Sequence, residues 1–120
     1  MSDLQPKPHK VKIGGEEFGL LFSLNAIDEI QDHFDISISN LTDMLKDQRA
    51  IFKNLRYILT VLINEGIDDE ETGRAHVDEK WVGRKITANN LQSLTKDILI
   101  AFSEGSPEGD EEDVPNGTSE

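Results

Sequence analysis

The stretch KVKIGGEEFGLLFS, residues 10–23, decides how the chain is read. Two glycines, Gly14 and Gly15, sit between apolar runs, and two acids, Glu16 and Glu17, follow them. A phosphate-cradling loop joins a strand to a helix and offers backbone N–H groups to an anion. Here the runs on both sides alternate like strands, and the acids repel anions. The stretch therefore predicts a β-hairpin with its turn at 14–17. Side chains alternate along strands, so Val11, Ile13, Phe18, Leu20 and Phe22 fall on one face. Lys10, Lys12 and Glu17 fall on the other with Leu21. An isolated hairpin is marginal in water, so its apolar face has to pack on helices.

Helical periodicity supplies them. Ser23 or Asn25 caps a helix that puts Leu24, Ile27, Ile30 and Phe34 on one face, with Asp28 and Glu29 in its first turn. Ser39 or Asn40 caps a short helix through Leu41, Met44 and Leu45. The longest helix runs from Arg49 to Glu65, and Gly66 is placed to stop it. Residues 68–73, DDEETG, read as a charged loop. A short helix passes through Val77, Trp81 and Val82. Thr87 caps a last helix carrying Leu91, Leu94, Ile98 and Phe102 inward with Leu99 beside them, and Gly105 ends it. The fold class expected is α+β, mainly α: an N-terminal hairpin on four to five helices. Residues 1–9 read as a flexible arm, 10–103 as one globular domain and 104–120 as a disordered acidic tail.

The chain has 120 residues, with 36% hydrophobic and 30% charged. Its 24 acids and 12 bases give a net charge of −12. Seven of the acids and no base lie in 104–120. Body and tail both repel a phosphate backbone, which argues against nucleic-acid binding. Absence of cysteine removes disulfides and Cys-based metal sites and fits a reducing compartment. No signal peptide or membrane span is apparent, so the chain reads as cytoplasmic with no membrane partner.

Chemistry is hard to place. His9, His33 and His76 share no helical metal-pair spacing. Glu16–Glu17, Asp68–Asp69 and Glu70–Glu71 read as solvated turns, and DDEET lacks calcium-loop spacing. Ser23, Ser39 and Ser93 have no nucleophile-elbow setting. The reading is of a non-enzyme without cofactor or metal. Trp81, the only tryptophan, either closes one end of the core or anchors a partner.

The order of segments resembles the tail assembly chaperones of long-tailed bacteriophages. It rests on VKIGGEEFGLLFSLNAIDEIQDHFDISISNL, then LRYILTVLINEG, then VGRKITANNLQSLTKDILIAF, over residues 10–103. The resemblance implies a non-virion factor in the host cytoplasm that binds the helical tape-measure protein, keeps it soluble and helps major tail-tube subunits polymerise around it. It leaves room for a homo-oligomer. It also implies a longer frameshifted form diverging near the acidic tail. A groove for apolar helical faces would draw on stripes wider than one packed face needs. Phe52, Leu59 and Ile63 on the long helix and Leu99 and Phe102 on the last are the candidates, with Trp81 as an anchor; the alternative is that the hairpin covers them. The tail either solubilises the chain or shields it electrostatically from wrong association. An acidic DNA-mimic inhibitor and a structural tail or connector subunit are the rival readings.

Overall fold

The computed structural model describes residues 7–105. Expectations for residues 1–6 of the arm and 106–120 of the tail lie outside the described residues. The remainder is α+β and mainly helical: an antiparallel hairpin followed by five α-helices. Strands β1 (His9–Ile13) and β2 (Glu16–Leu20) pair with Val11 opposite Phe18 and Lys12 opposite Glu17. Gly14 and Gly15 both have positive φ, 62° and 84°, as a two-residue hairpin turn requires. The turn is thus shorter than expected, and Glu16 and Glu17 belong to β2. Val11, Ile13, Phe18, Leu20 and Phe22 are all buried, as the alternation predicts. Burying each such side chain contributes about 1.5–3 kcal/mol, enough to hold a hairpin that would not persist alone.

Helix α1 (Leu24–Phe34) begins at Ser23, whose Oγ accepts from Ala26 N–H at 3.0 Å and donates to the Glu65 carboxylate. Ala26 and Ile30 set its buried side. Leu24 lies about 120° round the helix from Ile30 by helical geometry and is 78% exposed, not inward. Asp28 and Glu29 fall beyond the first turn. A 3₁₀ turn, Ile38–Asn40, is capped by Ser37 and leads into the single turn of α2 (Leu41–Met44), whose N-cap residue is Asn40, one of the two expected, although its side chain makes no capping hydrogen bond.

Helix α3 (Ile51–Glu70) is the centre of the core, with Leu55, Ile58, Leu59, Leu62 and Ile63 wholly buried. It does not stop at Gly66. The stripe continues through Ile67, and the helix takes in half of the expected 68–73 loop before Glu71 closes it at φ 56°. Gly66 serves a different purpose. A Cβ there would lie 2.0 Å from the Gly19 carbonyl oxygen, so the missing side chain is what seats β2 on α3. Two residues on, Leu21 N–H donates to Leu62 C=O at 3.2 Å, and α3 thereby covers the outer edge of β2. On its other side Gly19 meets Pro8, whose Cβ would be 2.7 Å from an added methyl.

Helix α4 (Glu79–Lys85) is capped by Asp78, which accepts from Trp81 N–H at 2.8 Å. Gly83 lets the Arg56 stem pass, since a Cβ would meet Arg56 Cδ at 3.0 Å. Helix α5 (Leu91–Gly105) follows a reciprocal cap. Asn90 Oδ1 accepts from Thr87 N–H at 2.7 Å, and Thr87 Oγ1 accepts from Asn90 N–H at 3.2 Å. Asn90 Nδ2 also donates to Lys85 C=O at 2.9 Å, satisfying the end of α4. His9 belongs to β1 rather than a loose arm, and its Nε2 lies 3.1 Å from Asp97 on α5.

Candidate functional site

A cleft of about 640 Å³ opens between the α2–α3 corner and the start of α5. Leu45, Ile51 and Leu91 supply its apolar lining, with Lys46, Gln48, Gln92 and Thr95 among its polar groups. Local folding explains the gap. Helix α2 ends after one turn, and the chain crosses to α3 through turns in which Asp47 Oδ1 accepts from Arg49 N–H at 3.1 Å. No long helix fills that corner. On the opposite wall, the Thr87–Asn90 cap fixes where Leu91 begins α5. Thr95 Oγ1 is committed to Leu91 C=O at 2.8 Å. The cleft carries one ammonium and no carboxylate among its lining residues. Such a surface can take up apolar side chains of a helix and meet polar backbone or side chains at its edge.

The six residues singled out from sequence do not form one surface. Leu59 and Ile63 are fully buried, because β2 and the other helices pack round that part of α3; they line no groove. Phe102 packs edge-on against Phe22 with ring centres 5.3 Å apart, and Leu99 is half-buried beside the core. Trp81 meets Phe18 edge-on at 5.6 Å near the hairpin turn. Phe52 alone is well exposed, at 43%, with the Arg56 guanidinium 5.7 Å from its ring centre. None of the six lines the cleft. Helical periodicity assigns Leu45 and Leu91 to packed faces, and Ile51 likewise falls in register with Leu55, Ile58 and Leu62. The only sequence signal for an opening there is the shortness of the helix before the DQRA turn.

A second, smaller cleft of about 400 Å³ lies at the turn end of the hairpin, walled by Phe18, Arg74, Trp81 and Arg84. The Arg74 guanidinium sits 4.2 Å from the Phe18 ring centre and pairs with Glu16 at 3.1 Å and Glu70 at 3.9 Å. Lys85 Nζ lies 5.4 Å from the Trp81 ring centre. Two of the histidines serve similar surface pairings. His76 approaches Asp68 at 2.8 Å, and His33 stacks on Tyr57 at 3.7 Å. Tyr57 has its phenol pKa raised from 10.0, first by burial and then by the charges of Glu29, Glu79 and Asp32. Arg56 Nε is buried without a hydrogen bond, its Glu79 partner being 3.6 Å away. Among the described residues no group of three or more His, Cys, Asp or Glu is placed to hold a metal ion. No helix there is long and apolar enough to cross a membrane.

Comparison with protein-family models, with curated proteins and with solved structures returned no match.

Proposed function

We propose that this protein is a tail assembly chaperone of a long-tailed bacteriophage or prophage. It binds the tape-measure protein in the bacterial cytoplasm, keeps it soluble, promotes polymerisation of tail-tube subunits around it and stays out of the finished virion. The observation that carries this reading is the open cleft lined by Leu45, Ile51 and Leu91. A long helical protein exposes apolar faces before assembly, and a cleft between two helix starts can cover them. The segment resemblance over residues 10–103 supports the same reading.

Co-expression with a tape-measure protein encoded beside this chain tests it. The chain should keep that protein in the soluble fraction and co-purify with it. Ile51→Asp and Leu91→Asp, both at half-buried positions, should abolish co-purification while far-UV dichroism stays native. A tape-measure protein equally soluble with and without the chain would refute the proposal. Recovery of the chain in purified virions would refute the non-virion part.

A further inference from the structure

Although the body is acidic, four of the chain's twelve cations follow one another along the outer face of β1 and past the hairpin turn. Lys10 and Lys12 are exposed on the outer face of β1. Lys10 lies opposite Gly19, and Lys12 opposite Glu17. At the turn the Lys85 stem lies against Gly14, where an added Cβ would be 3.0 Å from its Cδ. Exposed Arg84 then borders the cleft that Phe18 and Trp81 wall. Among the described residues none of these four cations makes an ion pair within 4.0 Å. The nearby carboxylates are largely engaged elsewhere. Glu16 and Glu70 pair with Arg74, Glu79 with Arg56, and Asp78 caps α4; Glu17 alone faces the line, opposite Lys12.

The chain leaves the described structure at the other end of that line. Glu104, one residue before the end of α5, lies 3.6 Å from His9 Nδ1 at the start of β1. The five steps from His9 to Gly14 cover about 17 Å at about 3.3 Å per residue. Residues 106–120 contain six carboxylates and no base, and 15 residues can span up to about 50 Å.

We propose that residues 106–120 of the same chain dock along this basic line, laying the Asp110–Asp113 acids against Lys12, Lys85 and Arg84 and covering the Trp81 cleft. The tether makes the contact intramolecular, so weak exposed pairs act at an effective concentration of about millimolar. Occupancy of this face does not depend on what the Leu45–Leu91 cleft binds.

Two features of the sequence make the test direct: there is one tryptophan, and there is no cysteine. A nitroxide on Val114→Cys in the full chain should broaden the Trp81 indole N–H resonance at an ionic strength of about 0.01 M. The broadening should be lost near 1 M, where the screening length falls from about 30 Å to about 3 Å. It should also be lost when Asp110→Asn, Glu111→Gln, Glu112→Gln and Asp113→Asn are combined, which leaves the body untouched. Lys12→Ser with Arg84→Ser should remove it too, with dichroism native. Absence of broadening at low salt overturns the proposal, as does broadening that survives tail neutralisation. Broadening that disappears on dilution with unlabelled chain places the tail on a neighbouring copy and overturns the intramolecular docking.

Discussion

Replacing Gly66 with alanine should unfold this protein at a markedly lower temperature, although alanine is the better helix former. In an exposed helix interior the change would stabilise by about 0.8–1.0 kcal/mol. Here the new methyl would lie 2.0 Å from the Gly19 carbonyl oxygen and 2.9 Å from its carbon. Ordinary C···O contacts are about 3.3 Å or longer, so β2 and α3 must separate by roughly 1 Å. Both atoms are backbone, and no rotamer change relieves the clash. Overpacking of this kind costs about 1–3 kcal/mol. The separation also stretches the Leu21 N–H to Leu62 C=O bond at 3.2 Å, worth about 1 kcal/mol. The balance is a loss of about 2 kcal/mol. For a domain of this size that lowers Tm by about 8–16 °C, at about 4–8 °C per kcal/mol. Thermal and urea unfolding followed by dichroism would measure it. Gly66→Asn separates the two roles for this glycine. A helix-ending C′ position tolerates asparagine, whereas the strand seat rejects it more strongly than alanine. A Tm for Gly66→Ala at or above that of the parent would refute the seating of β2 on α3.

Three other outcomes follow from the same structure. Glu71 ends α3 at φ 56°, a conformation that costs a non-glycine residue about 1–2 kcal/mol; Glu71→Gly should raise the urea midpoint by up to about 1 kcal/mol equivalent, and a fall would count against it. Asn90→Ala removes a reciprocal cap and the bond to Lys85 C=O, so it should lose about 1–2 kcal/mol in the same assay. The raised pKa of Tyr57 means that the unfolded chain loses this proton first as pH climbs past 10.0. Its stabilising contribution is complete below that pH and is lost as pH rises through the folded pKa. Tm should fall less steeply above pH 10.0 in Tyr57→Phe than in the parent, and parallel slopes would exclude the effect.

What could be read from residues alone was whatever repeats or caps locally. The hairpin face from Val11 to Phe22 follows from alternation, and Ser23 and Thr87 announce helix starts by their hydroxyls. Gly66 misleads because a glycine after an apolar run commonly ends a helix, while the strand that needs it lies 47 residues earlier at Gly19. Ile67, four residues after Ile63, was the available hint that the stripe continues. Leu59 and Ile63 looked surplus because periodicity counts one face per helix, whereas α3 is packed by a strand as well as by helices. The Leu45–Ile51–Leu91 cleft was illegible because it is a space between elements, and a space has no residue pattern of its own.

The close fit of Gly19 between Pro8 and Gly66 also bears on fidelity. Successive carbonyls of a strand alternate between its edges. A hairpin formed one residue out of register would turn the wrong carbonyl toward α3 and send Phe18 and Leu20 into water. A slip of two would bring Glu17 or Leu21, each with a Cβ, into a gap that has no room for one. Mispaired hairpins would therefore dock less stably than the correct register, by a penalty of the size expected for Gly66→Ala, and would more readily unzip and pair again. The contact acts as a proofreading step for the strand pair, performed by the absence of two methyl groups.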